Sequence, residues 1–279
     1  MKGGMADETH IVLEGLELAY GERVILRDVS AAVRRGEIFV IMGGSGCGKS
    51  TLLRHMIGLE QPAKGRILVD GRPLAELLED PAATARRFGA LFQSGALWSS
   101  MTLYENVALP LEQYTDLRRT EIARVVRLKL ALVGLQGFED YLPGELSGGM
   151  QKRAGLARAM ALDPEILFLD EPSAGLDPIT SRKLDLLLLQ LRKNLGATFV
   201  VVTHELESIF TIADRAMFLD ARSRTVRAVG PPCELFRDAS DPVIREFLTR
   251  GRWIDRAPPP CEAGAPGENE RPVSSDAKP

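Results

Sequence analysis

The sequence is poor in features that would send it across a membrane or onto nucleic acid. None of its 279 residues falls in an apolar run approaching the ~18 to 20 needed to span a bilayer. The leucines at 186–189 sit between Asp185 and Gln190 and read as one face of a packed helix. Residues 1–10 are polar and lack the apolar region of a signal peptide, so the expectation is a chain that stays in the cytosol. The 3 cysteines, Cys47, Cys233 and Cys261, are far apart and show no metal-ligand spacing, which suggests a reducing compartment without a disulfide framework. Basic surplus is missing too: 35 Lys and Arg against 38 Asp and Glu give a net charge of −3, which argues against nucleic acid as a partner. There is no internal repeat. Residues 257–279 hold six prolines and little apolar content, too little for a core, and read as a disordered tail.

What is present is an ordinary globular balance, 45% hydrophobic and 26% charged, so a sizeable core is expected. The length suits one unit with an inserted lobe. Ile11, Leu13, Leu16 and Leu18, then residues 24–26 and 29–33, read as short antiparallel strands. Residues 38–42 are continuously apolar between Gly36 and Gly43, the pattern of a strand buried on both faces. A glycine-rich loop and a helix over 49–57, stopped by Gly58, come next. Strands are expected at 67–69 and 88–92, helical patterning over 97–162, then strands at 166–169, 199–202 and 216–219 alternating with helices at 180–195 and 206–213. That alternation implies a parallel α/β sheet. A short edge strand at 225–229 and weak helices at 232–236 and 242–248 complete the reading.

Gly43-Gly44-Ser45-Gly46-Cys47-Gly48-Lys49-Ser50 matches the phosphate-loop pattern G-x-x-x-x-G-K-[ST] between a buried strand and a helix, the context that gives the pattern meaning. The glycines let backbone N–H groups wrap phosphates; Lys49 would neutralise β and γ oxygens, and Ser50, followed by Thr51, would ligate magnesium. Helix-start dipoles are expected to lower the pKa of the Cys47 thiol. The apolar strand at 166–169 ends in Asp170 and Glu171, which places two carboxylates at the crevice of an open α/β sheet, where a cation offsets their charge. Asp170 is then the metal-side ligand, and Glu171 is left to polarise a water.

Leu146-Ser147-Gly148-Gly149-Met150-Gln151 has the look of half a phosphate site. Ser147 is a good helix N-cap, and the glycines after it would admit a ligand to the N–H groups of a helix start, yet no lysine follows. With Met150 in place of Glu there is no capping box, so the Ser147 hydroxyl is expected to be free to face a ligand.

This stretch resembles the signature motif of ABC-type ATPases, and the resemblance covers about residues 11–247, because several motifs fall in that family's order. It implies a P-loop NTPase (RecA-like), mostly parallel α/β sheet with an antiparallel β subdomain and an inserted helical lobe. The expected ATPase domain is 11–250, with a core of 11–96 and 163–250 and a lobe of 97–162. It implies ATP and Mg2+ as ligands, Tyr20 stacking on adenine, and Gln93 touching metal and water. Ser173-Ala174-Gly175-Leu176-Asp177 resembles the loop that crosses between subunits, and His204 the γ-phosphate switch. Ser147, Gly148, Gly149 and Gln151 of one copy would complete the Lys49 site of another in a head-to-tail homodimer.

The text of residues 92–111, FQSGALWSSMTLYENVALPL, resembles the ATPases of bacterial phospholipid-trafficking importers and their Mce-associated relatives. That resemblance implies a peripheral subunit at the cytoplasmic face of the inner membrane, with an integral-membrane permease, a Mce-type lipid-binding protein in the same complex, and no nucleic acid. The alternative reading is the ATPase of a polar-solute importer, for amino acids for example. A soluble ABC ATPase working on DNA or ribosomes is opposed by the absence of a coiled-coil insertion, a second cassette or a basic surface. A nucleotide sensor without turnover is opposed by intact Lys49, Asp170, Glu171 and His204.

Overall fold

Every residue of Ile38–Gly43 is buried, and successive side chains enter different cores: Ile38, Val40 and Met42 join one apolar cluster, Phe39 and Ile41 the other. A strand with no polar face needs cover on both sides, and the rest of the chain supplies it. The computed structural model describes residues 9–93, 95–237 and 241–249.

The chain begins with β1 (Thr9–Tyr20), β2 (Arg23–Arg34) and β3 (Ile38–Gly43), followed by α1 (Lys49–Ile57), β4 (Lys64–Val69) and β5 (Arg72–Pro73). Two short helices, α2 (Leu74–Leu77) and α3 (Pro81–Arg87), precede β6 (Phe88–Leu91). Three helices run consecutively before the next strand: α4 (Leu103–Tyr114), α5 (Arg119–Leu132) and α6 (Gly148–Ala159). Alternation then returns with β7 (Ile166–Asp170), α7 (Pro178–Leu195), β8 (Thr198–Val202), α8 (Leu206–Ile212), β9 (Arg215–Asp220) and β10 (Thr225–Gly230). Helices α9 (Pro232–Arg237) and α10 (Pro242–Thr249) close the described chain.

The core sheet has the order β10-β9-β3-β8-β7-β6, parallel from β9 to β6, with β10 antiparallel at one edge. A second, antiparallel sheet, β2-β1-β4-β5, packs with α1 on one face of it, and the helices from α4 onward cover the other. The expected architecture is present: a mostly parallel α/β sheet with an antiparallel companion and helices inserted between β6 and β7.

Two expected strands, 24–26 and 29–33, are one: β2 runs through Asp28, which adopts φ 50°, while β1 opposite shifts register around Gly15. The helices α2 and α3, of four and seven residues, are too short to show a helical period and were not expected; α3 is set by Asp80, whose carboxylate accepts the Ala83 N–H at 3.0 Å. The weak helix at the end packs on its own subunit: the Phe247 ring stands 5.1 Å from Phe218, Leu248 is fully buried, and Arg227 joins Asp220 to Asp241. Cys47 is a buried free thiol. Cys261 and the expected tail at 257–279 lie outside the described residues.

Candidate ATP site

Strand order brings the expected residues together. β3, β8, β7 and β6 are neighbours in that sequence, and the segments leaving their carboxyl ends carry Lys49, His204, Asp170 with Glu171, and Gln93. Ligands of open α/β sheets bind at this edge. There a cleft of about 670 Å³ is lined by Tyr20, Ser45, Gly46, Gly48, Lys49, Ser50, Thr51, Gln93, Glu171 and His204.

The phosphate loop is shaped by its glycines. At Gly43, φ is 150° and a Cβ would stand 2.4 Å from the Leu219 carbonyl oxygen, so no side chain fits. Helix α1 starts at Lys49, and Gly58, at φ 88°, donates its N–H back to the last turn. Lys49 Nζ donates to the Gly43 and Gly44 carbonyls at 3.1 and 3.0 Å, which holds the ammonium at the mouth of the loop. Ser50 Oγ donates to Asp170 Oδ1 at 2.8 Å.

Glu171 sits one residue beyond β7 in the left-handed region, φ 47°, a conformation costing on the order of 1–2 kcal/mol for a residue with a Cβ. Its N–H donates to the Val202 carbonyl at 2.9 Å, which holds the turn. One carboxylate oxygen, Oε1, lies 2.8 Å from His204 Nδ1; the other, Oε2, is buried without a hydrogen-bond partner. A buried carboxylate oxygen with no donor is costly unless a ligand or water completes it.

Ser147 and Gly149 do not line this cleft. They line a separate cavity of about 480 Å³, together with Met150, Leu176 and Thr180.

A sequence model described as ABC transporter matches residues 26–174. The chain belongs to the ABC transporter family. It is an ABC-type ATPase, an ATP-binding and ATP-hydrolysing cassette of a family whose members dimerise and work with membrane permease subunits. The probable ribonucleotide transport ATP-binding protein mkl of Mycobacterium tuberculosis is 42% identical over 245 residues, 88% of this chain and 67% of mkl. The intermembrane phospholipid transport system ATP-binding protein MlaF of Escherichia coli K12 is 42% identical over 229 residues, 82% of this chain and 84% of MlaF. Among solved structures, the dimeric post-hydrolysis state of the cassette MJ0796 bound to ADP and Pi superposes with a TM-score of 0.71 at 31% identity, covering 79% of this chain and 98% of that one. Among the described residues no helix is long and apolar enough to cross a membrane.

Three expectations about this ABC ATPase are corrected. The Cys47 side chain does not line the cleft; it is buried against Gly43 in the core, and burial, outweighing the nearby Lys49, pushes its thiol above the usual range rather than below it. The Ser147 hydroxyl is not free of its own helix, because it accepts the Met150 N–H at 3.3 Å, although its proton can still donate outward. Gln151 does not present its amide to a ligand: Nε2 donates to the Pro143 and Leu146 carbonyls at 2.9 and 3.2 Å and braces the turn before α6. Gly149, expected to admit a ligand, is also required by packing, since a Cβ there would meet Thr180 Cγ2 at 2.5 Å, whereas at Gly148 the nearest atom is Leu176 Cδ2 at 3.8 Å.

Two residues escaped the sequence reading. Lys152, on α6, is buried and donates to the carbonyls of Gln93 and Glu171. Burial lowers its ammonium pKa against the opposing charges of Asp170 and Glu171. Asp185 on α7 is also buried; its carboxylate accepts the Ser208 hydroxyl at 2.8 Å, and burial raises its pKa to about 6. Beside it Ser181 donates to Glu205, the residue after His204, at 3.2 Å. A charged residue at a helix position expected to be core is the one signal the sequence offers for either.

Proposed function

We propose that two copies of this chain close head to tail over two ATP molecules, each site pairing the Lys49 cleft of one copy with Ser147 and Gly149 of the other. The Glu171 carboxylate carries the reading: it is clamped by His204 on one oxygen, and its second buried oxygen lies beside the cleft without a donor. A water placed there gives its proton to Glu171 as its oxygen attacks the γ-phosphorus, and the bond to the β–γ bridging oxygen breaks. Lys49 exchanges two neutral carbonyls for β and γ oxygens, and Tyr20 stacks on the base. Ser50 Oγ and Asp170 Oδ1 are hard oxygen donors 2.8 Å apart, a pair that fits Mg2+ with Gln93 beside it. An ion held by these residues would supply positive charge against the phosphates. The signature N–H groups come from the partner, so full phosphate stabilisation exists only in the closed dimer.

The cargo we assign is phospholipid, moved through an integral-membrane permease from the cytoplasmic face of the inner membrane, with a Mce-type lipid-binding protein in the same complex. MlaF, named for intermembrane phospholipid transport, matches over 84% of its own length. The lipid-type stretch holds Trp98, 58% exposed, at a groove of about 290 Å³ shared with Phe88, Leu109, Pro110 and Tyr114, a suitable face for the permease. The name of mkl favours a second reading, a ribonucleotide cargo. Purification of the complex from the native membrane, with mass spectrometry of its subunits and bound small molecules, separates the two. Phospholipid with a Mce-type subunit supports the first; a nucleotide and a solute-binding protein, without lipid, overturns it.

A further inference from the structure

The exposed Tyr20 is not a loose ring. It ends β1 and is 48% exposed, yet its hydroxyl donates to both carboxylate oxygens of Glu60, at 2.7 and 2.9 Å. A carboxylate acceptor makes this a charge-assisted bond, the stronger kind. Glu60 belongs to the turn that follows α1 and is itself flanked by that helix's last turn, with Arg54 Nη1 at 3.8 Å and His55 Nδ1 at 3.7 Å. His55 is buried and fixed, its Nδ1 lying 2.8 Å from the Thr51 carbonyl. The same turn is tied to β1 again by the Ala63 N–H, which donates to the Glu17 carbonyl at 2.8 Å.

Helix α1 therefore has a task at each end. Its first residues, Lys49 and Ser50, face the phosphate part of the cleft, and the turn beyond its last residue grips the aromatic ring at the other part. We propose that Glu60 is a positioning residue for nucleobase recognition, holding the Tyr20 ring in its stacking orientation and fixing its distance from the phosphate loop through α1. The inference rests on the reading of Tyr20 as the base-stacking residue. An exposed ring free to rotate pays ordering entropy on binding, and a ring already held does not. Stacking is sensitive to ring angle and offset, so the gain is lost when the hydroxyl is released. Arg54 acts one step further out, its guanidinium 3.8 Å from the Glu60 carboxylate and opposite to it in charge.

The test measures binding of a non-hydrolysable ATP analogue and of inorganic tripolyphosphate to the full-length protein by calorimetry, for wild type, Glu60→Ala, Glu60→Gln, Tyr20→Phe, Tyr20→Ala and the Glu60→Ala/Tyr20→Phe double variant. Glu60→Ala and Tyr20→Phe are each expected to weaken the analogue by about 2- to 10-fold, the double variant no more than either, and tripolyphosphate not at all. Glu60→Gln, whose amide oxygen still accepts from the hydroxyl, is expected to keep most of the affinity. Loss of analogue and tripolyphosphate alike in Glu60→Ala would show that Glu60 acts on the phosphate loop, and additive losses in the double variant would uncouple it from Tyr20; either result overturns the inference. Unchanged affinity in Glu60→Ala and Glu60→Gln alongside weakened Tyr20→Ala overturns it too, while leaving the Tyr20 reading intact. Unchanged affinity in Tyr20→Ala removes that reading itself.

Discussion

Lys152 stands on α6, five residues beyond the Ser147 cap, and its Nζ lies 3.3 Å from the backbone carbonyl of Glu171 while also donating to the carbonyl of Gln93. One buried ammonium thus ties the helix behind the Ser147 turn to the strand end that carries Glu171 and to the segment leaving β6. Lys152→Met leaves two carbonyls without that donor, a loss of about 1–3 kcal/mol. If the tie serves to place Glu171, kcat falls by roughly 10- to 100-fold with little change in ATP affinity, and Lys152→Arg recovers part of it. Steady-state kinetics beside equilibrium binding check this; an affinity loss equal to the kcat loss would point to general disruption.

Glu171→Gln keeps the shape of the site and removes the proposed proton acceptor. Turnover is expected to drop by roughly 10²- to 10⁴-fold while ATP stays bound and dimer accumulates. Phosphate release and size-exclusion chromatography with ATP measure both. Near-normal turnover would remove Glu171 from its role.

Asp185 gives a pH signature. Burial raises its folded pKa to about 6, above the ordinary aspartate range, so the folded chain holds this proton more tightly than the unfolded one does. Its contribution to stability is fully present below the unfolded pKa and is lost as pH rises from about 4 through about 6, a change on the order of 2–3 kcal/mol. Asp185→Asn retains an acceptor for the Ser208 hydroxyl and is expected to flatten that fall and to equal or exceed wild-type stability at pH 7. Urea denaturation at pH 5 and pH 7 checks it, and an unchanged slope would contradict it.

Gly149 is held to glycine by Thr180, whose Cγ2 would lie 2.5 Å from an added Cβ. Gly149→Ala should destabilise the fold by about 1–3 kcal/mol through overpacking, and Thr180→Ser, which removes that methyl, should restore most of it. Thermal melts of the single and double variants decide. A destabilisation that Thr180→Ser fails to relieve would mean that the α6–α7 contact is not its source.

Much of this architecture was legible where glycine or unbroken apolarity leaves one solution. The β3 strand, helix Lys49–Ile57 with its Gly58 stop, and the acids ending β7 were readable because each is a local pattern. Directions of side chains were not. The Cys47 thiol sits in a loop whose dipoles favour the thiolate, yet burial outweighs them. Gln151 follows two glycines at a phosphate-type turn, but the nearest carbonyls needing a donor belong to its own chain. Lys152 and Glu60 act across distances that only the assembled sheet sets, and no spacing in the sequence reports them.

Sites shared between two copies make a sharp prediction for a mixed dimer of Lys49→Ala and Ser147→Arg chains. Each variant alone should bind at most without hydrolysing: Lys49→Ala lacks the phosphate cation, and Ser147→Arg removes the signature hydroxyl from the partner's site while leaving ATP binding largely intact. Mixed, they regain one complete site of the two, Lys49 from one chain with Ser147 from the other, and hydrolysis returns to about half the wild-type rate or less, because the other site lacks both groups, such a donor being worth roughly 10²-fold or more to turnover. Pairing a chain that carries both substitutions with a wild-type chain should give no active site in the mixed dimer. The contradicting result is the reverse: activity in that second pairing and none in the first, which would place Ser147 in the site of its own subunit.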